Sequence, residues 1–168
     1  CLDMIKQNKA IFLDRDGVIN KKRDDYVKSI NELEIFPDIG EGILNLKKMG
    51  FLIIVITNQS IINRKIIAVE ELEKIHLSIQ NNLKENSCNI DRFYFCPHTP
   101  NENCNCRKPK SGLLLQAITD FSINSSKSWM IGDCLTDIQA GEKVGCKTIL
   151  LKDNMSFSDI VDIIKFKK

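Results

Sequence analysis

The chain has 168 residues, of which 43% are hydrophobic and 27% are charged, and its formal net charge is +2. This composition fits one soluble globular domain over residues 1–168 with a core of its own. The small net charge gives no reason to expect a nucleic-acid partner, and no apolar run approaches the ~20 residues of a membrane-spanning helix. We expect a monomer without nucleic-acid or membrane partners.

Strand-like and helical patterns alternate along the chain. Continuous apolar, partly β-branched runs predict buried strands, and apolar residues at helical spacing predict amphipathic helices. In chain order we expect a strand at 10–13, a helix at 38–49, a strand at 51–56, a helix at 69–86, a strand at 93–95, a helix at 113–121, a strand at 129–131, a short helix at 138–144 and a strand at 148–151. The alternation predicts βαβ units, and therefore an α/β fold with a mainly parallel sheet.

Three of these strands end on polar residues of chemical interest. The first ends on Asp14, the second on Thr57-Asn58, and the strand that begins at Trp129 runs into Asp133. Ligands of parallel sheets bind beyond the carboxyl ends of the strands. All three strand ends could therefore open on one crevice, which favours an enzyme.

The first strand leads into Asp14-Arg15-Asp16-Gly17. One interpretation is an ordinary strand-to-turn junction, where Asp and Gly are common. The other is an active site in which Asp14 attacks phosphorus and Asp16 protonates the leaving oxygen and later activates water. Asp14 and Asp133 can also supply the oxygen ligands that Mg²⁺ prefers.

Other polar residues could handle the phosphoryl group. Thr57 and Asn58 offer a hydroxyl and an amide, although a polar turn that caps the next helix is an alternative. Lys108 could neutralise developing charge and Arg107 could hold a second anionic group, but the dipeptide alone favours a solvated basic loop. Asp137 is either a further ligand or supporting group, or a helix N-terminal carboxylate.

The segment 96–106 contains a dense set of metal-binding residue types, with the pattern C-x-H-x5-C-x-C. Its members are Cys96, His98, Cys104 and Cys106. Three thiolates and one imidazole suit a closed, tetrahedral and therefore structural zinc site. The alternative is a disulfide or free thiols in a mobile loop. The seven cysteines in total fit no disulfide framework and favour a reducing cytoplasm.

Two further residues rank lower as functional candidates. His76 lies beside an apolar helix face and is interpreted as a packed or exposed histidine rather than a ligand. Cys134 follows Asp133 directly, but without a lowered pKa it is not assigned as a nucleophile.

These motifs form an ordered set that resembles the haloacid dehalogenase superfamily of phosphatases. Within it the chain looks like the zinc-containing branch that holds the heptose bisphosphate phosphatases and the histidinol-phosphatases. The resemblance covers residues 9–151 and rests on Asp14-Arg15-Asp16-Gly17-Val18-Ile19-Asn20, Thr57-Asn58-Gln59-Ser60, the cysteine and histidine cluster with Arg107-Lys108-Pro109, and Gly132-Asp133 with Asp137.

The resemblance implies a Rossmann-like core with helices on both faces and a minimal or absent cap domain. It implies that Asp14 is the nucleophile, Asp16 the general acid and base, and that Thr57 and Lys108 act on the phosphoryl group. Mg²⁺ would be held by Asp14, the backbone carbonyl of Asp16 and Asp133. Substrate-binding residues would be Asn58, Gln59, Ser60, Arg107, Asp25 and Tyr26.

Within the branch, two features favour a heptose bisphosphate substrate, hydrolysed at the C7 phosphate, over histidinol phosphate. Asn20 is followed by Asp25-Tyr26-Val27, and Ser60 rather than Asp follows Gln59. Two features depart from the heptose enzymes: residues 61–65 read Ile-Ile-Asn-Arg-Lys instead of Gly-Ile-Ala-Arg-Gly, and Cys134 replaces a lysine found in some of them. A catalytically silent zinc-loop scaffold is the alternative from another class.

Overall fold

The computed structural model describes residues 5–167, so Cys1 lies outside the described part of the chain. Five strands alternate with five helices. The strands are β1 (Lys9–Leu13), β2 (Phe51–Asn58), β3 (Arg92–Cys96), β4 (Trp129–Gly132) and β5 (Lys147–Leu150). The helices are α1 (Ile39–Lys48), α2 (Val69–Lys84), α3 (Gly112–Phe121), α4 (Leu135–Lys143) and α5 (Phe157–Phe166), with short 3-10 turns at Ile30–Glu32, Pro100–Glu102 and Ser125–Lys127.

The strands form one sheet in the order β3-β2-β1-β4-β5, and every neighbouring pair is parallel. β1 lies at the centre, with Leu13 paired to Val55 on one side and to Ile131 on the other. This arrangement confirms the predicted α/β fold with a Rossmann-like parallel sheet. It also sets the ends of β2, β1 and β4 side by side.

Alternate residues of β1 enter two separate cores. Ile11 and Leu13 pack with residues of α1, α2 and α5, whereas Ala10 and Phe12 pack with residues of α3 and α4. All four side chains are fully buried. Burial on both faces explains why the strand is apolar without alternation. Helices therefore cover both faces of the sheet, as predicted.

The segment between β1 and α1, residues 14–38, contains one 3-10 turn and isolated bridges, which agrees with a minimal cap. α5 has no counterpart among the predicted elements. The Phe157 ring of α5 packs against Gly42 of α1, in the space that a Cβ at position 42 would occupy. Asp38 Oδ2 accepts the backbone N–H of Phe157 at 2.8 Å. These contacts join α5 to α1, far away in the sequence.

Within residues 5–167, no helix combines the length and apolar character that crossing a membrane requires.

Candidate active site

The ends of β1, β2 and β4 open on a cavity of about 400 Å³. The structure brings together most of the polar residues predicted from the sequence at or beneath this cavity. Its walls include Asp14, Asp16, Tyr26, Asn58, Ser60, Arg107, Lys108 and Asp137, together with Lys22, Arg23, Asp24, Val27, Arg64, Cys134 and Thr136. The Asp14 backbone N–H donates to the carbonyl of Ile131 at 3.0 Å, which continues the sheet pairing into the site.

Lys108 is the central cation of the cavity, and its side chain is only 3% exposed. Its Nζ lies 3.0 Å from Asp14 Oδ1, 2.7 Å from Asp137 Oδ1 and 2.7 Å from the carbonyl oxygen of Ile56. Burial opposes the charged form, but the two carboxylates outweigh it and raise the pKa of Lys108. A permanent positive charge therefore sits beside Asp14.

Asp14 is held in an environment that disfavours its charge. Burial raises the pKa of its carboxyl, Lys108 opposes that effect, and the neighbouring charges of Asp137 and Asp16 raise the pKa further. The net shift is upward. A carboxylate that is this poorly solvated and only partly neutralised is prepared to meet another cation or an electrophile.

Asp16 lies in a different environment, among hydrogen-bond donors. Arg15 Nη2 donates to both of its oxygens at 2.9 and 3.1 Å, Asn20 Nδ2 donates at 3.0 Å, and Gln59 Nε2 donates at 2.9 Å. Burial raises the pKa of Asp16, but these donors and the Arg15 charge outweigh it, so the pKa is lowered. The pKa values of the two carboxylates are thus shifted in opposite directions: the surroundings of Asp16 favour its ionised form, and those of Asp14 disfavour it.

The residues around Asp133 fit a divalent cation. Asp133 Oδ1 is buried and has no hydrogen-bond partner among the described residues. Burial and the charge of Asp14 raise the pKa of Asp133, while Lys22 opposes them. Gly17, with φ +87°, approaches so closely that a Cβ would lie 2.2 Å from Asp133 Oδ2. An orphaned oxygen next to a second carboxylate is the donor set that Mg²⁺ prefers.

Asp137 also caps the N-terminus of α4, the second of the two roles predicted for it from the sequence. Its Oδ2 accepts the backbone N–H of Cys134 at 3.1 Å, in a capping box at the start of α4. Gly132 makes room for this carboxylate, because a Cβ there would lie 2.1 Å from Asp137 Oδ2. One carboxylate therefore both caps α4 and pairs with Lys108.

Residues 57–60 divide between the cavity wall and the layer beneath it. Asn58 lines the cavity, but its amide accepts the backbone N–H of Lys108 at 3.0 Å and donates to the Lys108 carbonyl at 3.2 Å. Gln59 is buried and donates to Thr57 Oγ1 at 2.9 Å as well as to Asp16. Ser60 lines the cavity. Asn58 and Gln59 therefore support Lys108 and Asp16, rather than presenting free amides to a substrate.

The loop between β1 and α1 places its two predicted substrate residues differently. Tyr26, with φ +67°, contributes to the cavity wall. Asp25 does not line the cavity and instead pairs with Arg23 and Lys28, at 3.0 and 2.8 Å. Hydrogen bonds from Lys28 and Arg23 lower the pKa of Asp25 to about 2. Asp25 thus braces the loop that carries Tyr26.

The predicted metal-binding cluster is assembled in the structure. Cys106 Sγ lies 3.0 Å from Cys96 Sγ and 3.2 Å from His98 Nδ1, and Cys96 Sγ lies 3.6 Å from Cys104 Sγ. The three cysteines and the histidine each present one ligand atom, and these four atoms all lie within 4.8 Å of one another. Burial acts to raise the pKa of Cys104, but N–H donors including Arg107 lower it to about 6. Three thiols and one imidazole placed in this way could hold a metal ion.

The segment that carries the cluster contacts Arg107 and the loop of residues 61–65. Arg107 donates its backbone N–H to Cys104 Sγ at 3.4 Å and its Nη1 to the carbonyl of His98 at 3.2 Å. Asn63, from the loop that departs from the heptose enzymes, donates to Glu102 at 3.0 Å. Ile61 of the same loop is fully buried. The glycine-free loop is therefore anchored to the segment that carries the cluster.

Several site residues were not anticipated from the sequence. Arg15 and Asn20 hold Asp16, His76 contacts Arg15, and Arg23 and Arg64 line the cavity. The position of Arg15 between two carboxylates was a usable signal. Nothing local marks His76, because its contact with Arg15 spans 61 positions of the sequence.

The chain is similar to known proteins. A model of the HAD-hydrolase-like family matches residues 105–160. The D-glycero-beta-D-manno-heptose-1,7-bisphosphate 7-phosphatase of Neisseria meningitidis (strain Z2491) is 41% identical over 85% of this chain and 76% of the relative. The protein of the same name from Helicobacter pylori (strain J99) is 44% identical over 88% of this chain and 85% of the relative.

The fold is also found among solved structures. The D,D-heptose 1,7-bisphosphate phosphatase of B. bronchiseptica, solved with magnesium and phosphate, superimposes with a TM-score of 0.88. That match has 26% sequence identity and covers 95% of this chain and 99% of the other. The chain therefore belongs to the haloacid dehalogenase-like hydrolases, in the family of the D-glycero-beta-D-manno-heptose-1,7-bisphosphate 7-phosphatases.

Proposed function

We propose that the protein is a Mg²⁺-dependent phosphatase that removes the C7 phosphate of D-glycero-D-manno-heptose 1,7-bisphosphate through an aspartyl-phosphate. The observation that carries the proposal is Lys108, which is buried between Asp14 and Asp137. The charge of Asp14 also acts on Asp133, whose Oδ1 has no hydrogen-bond partner among the described residues. A fixed cation beside a desolvated carboxylate suits attack on an anionic phosphoryl group. The names of the relatives support the sugar substrate.

The proposed reaction has two steps. A carboxylate oxygen of Asp14 attacks phosphorus, the bond to the sugar oxygen breaks, and Asp16 gives that oxygen a proton. Asp16 then takes a proton from water, whose oxygen attacks phosphorus and releases phosphate from Asp14. Asp14, the Asp16 carbonyl and Asp133 would hold Mg²⁺, which when bound neutralises charge on the phosphoryl oxygens.

A substrate with a second anionic group fits the rest of the cavity. Arg107, Arg64, Arg23 and Lys22 line its walls, in addition to the buried Lys108. In the proposed mechanism, Lys108 and Mg²⁺ serve the transferred phosphoryl group. The remaining positive charge supports recognition of a second phosphate, and planar guanidinium groups can bind phosphate bidentately.

Replacing Arg107 with alanine should weaken this recognition selectively. We expect kcat/KM for the heptose bisphosphate to fall by about 10–100-fold, the loss of a charge-assisted hydrogen bond pair. Hydrolysis of p-nitrophenyl phosphate, which has one phosphate, should change by less than about threefold. Arg92→Ala serves as the control, because Arg92 lies at the start of β3, away from the cavity.

Steady-state kinetics on the heptose bisphosphate and on histidinol phosphate test the substrate. A clear preference for histidinol phosphate in the unmodified enzyme would refute the heptose assignment and leave the mechanism intact. Failure to release phosphate from either compound with Mg²⁺ present would favour the silent scaffold instead.

We also propose that Cys96, His98, Cys104 and Cys106 bind one structural Zn²⁺. Four protein ligands leave no open coordination position, so the ion would order the loop rather than take part in the reaction. None of the described cysteines forms a disulfide, which is compatible with a reducing compartment such as the cytoplasm.

Metal analysis should find about one zinc per chain in the purified protein. We expect Cys106→Ser to lose the zinc and to lower the free energy of unfolding by several kcal/mol, part of the ~10 kcal/mol that zinc supplies to small zinc domains. Cys134→Ser, outside the cluster, should keep the zinc. A zinc-free wild-type protein of unchanged stability would contradict the proposal.

A further inference from the structure

A buried contact behind the cavity involves a residue to which the proposed reaction gives no role. The Arg15 side chain is completely buried, and its guanidinium contacts Asp16 on one side and His76 on the other. Nε and Nη2 donate to Asp16, while Nη1 lies 3.3 Å from Nε2 of His76. His76 is not among the residues that line the cavity.

The chemistry of the pair fixes the state of His76. A guanidinium has only donors, so His76 Nε2 must accept, and the ring proton must be on Nδ1. Burial and the charge of Arg15 lower the pKa of His76 to about 3, so the ring remains neutral at physiological pH. The ring stacks on Phe93 with centroids 4.3 Å apart and planes 12° apart. His76 is thus a rigid neutral acceptor behind Arg15.

We propose that His76 is a positioning residue for the proton transfer by Asp16: it fixes Arg15, and Arg15 fixes the Asp16 carboxyl. This inference rests on the proposed phosphatase function. Without the acceptor, a buried Nη1 would lose its partner, and the guanidinium would turn to recover one. The two other groups that hold Asp16, Asn20 and Gln59, are neutral amides and leave the orientation of Arg15 unconstrained.

The role predicts a dependence on the leaving group. A sugar alkoxide needs a proton to depart, whereas p-nitrophenolate leaves without one. We expect His76→Phe to lower kcat/KM for the heptose bisphosphate by about 10–100-fold and for p-nitrophenyl phosphate by less than about threefold. The parameter kcat/KM covers only the steps up to departure of the leaving group, so the later attack of water does not affect it.

Two further variants separate positioning from general damage. His76→Gln keeps an acceptor near the position of Nε2 and should recover most of the activity on the heptose bisphosphate. Leu77→Gln, at an exposed neighbour on the same helix, should have no effect on either substrate. If His76→Phe does not fold, Phe93→Leu removes only the stacking partner and should give a smaller loss with the same selectivity.

The outcomes are distinguishable. A wild-type enzyme that hydrolyses neither phosphate refutes the proposed function. A wild-type enzyme that hydrolyses both, combined with variants that slow both substrates equally or neither, refutes the role of His76 alone. Failure of His76→Gln to recover activity would also refute it.

Discussion

Asp14→Asn should abolish phosphate release, with a loss in kcat of at least about 10³-fold, because an amide cannot serve as the attacking carboxylate. The substitution keeps the size of the side chain and the space beside Lys108. Phosphate release from the heptose bisphosphate in the presence of Mg²⁺ is the measurement. Near-normal turnover by the variant would exclude Asp14 as the nucleophile.

The same substitution should leave the fold intact or stabilise it. Burial raises the pKa of Asp14, so the folded state disfavours the charge that Asn removes. We therefore expect an unchanged or higher Tm, which separates loss of chemistry from loss of structure. Asp162→Asn, at an exposed position of α5, is the matched control and should affect neither activity nor Tm.

Lys108→Met should damage both activity and stability. Asp14 and Asp137 would each lose a partner, at 3.0 and 2.7 Å, in a buried site. Removing one member of a buried ion pair costs about 3–5 kcal/mol of unfolding free energy. The proposed mechanism places this charge beside the transferred phosphoryl group, so its loss should lower kcat by about 10²–10³-fold.

The destabilisation by Lys108→Met should depend on pH in a defined direction. Without Lys108, the pKa of Asp14, already raised by burial, rises further above its value in the unfolded chain. The folded state then binds more protons than the unfolded state above pH 4, so stability falls as the pH rises through that window. Denaturant unfolding at pH 5 and pH 8 measures this.

Lys48→Met, at an exposed position of α1, is the control and should show no such slope. A Lys108→Met protein with unchanged stability at pH 8 would contradict the central position of the lysine.

The parallel sheet could be predicted because its strands are buried on both faces. In β2, residues Ile53 to Ile56 are fully buried, and such a run is readable without knowing its partners. The polar strand ends were equally readable, since parallel strands must present their carboxyl ends at one edge. The cysteine and histidine spacing predicted the cluster because all its ligands lie within one short loop.

The remaining features depend on contacts between distant parts of the chain. Asn58 and Gln59 look like substrate amides in the sequence, and only the folded chain shows that Lys108 and Asp16 occupy them. α5 is specified by its packing on Gly42 and its cap from Asp38, although the Ser156 to Asp159 capping box was a local signal. His76 acquires a partner only when α2 docks beside β1.

The two hydrogen bonds between the Asn58 side chain and the backbone of Lys108 bear on how substrate selectivity could change in related enzymes. Lys108 is tethered to the end of β2, whereas its neighbour Arg107 is tethered to the cysteine and histidine loop. Two adjacent residues are therefore positioned by two different parts of the fold. In the proposed mechanism, mutations that reshape the loop would change which second group of a substrate is accepted, without moving the lysine proposed to bind the transferred phosphoryl group. The residue proposed for turnover, Lys108, would thus be positioned by the sheet, and the residue proposed for selectivity, Arg107, by the loop.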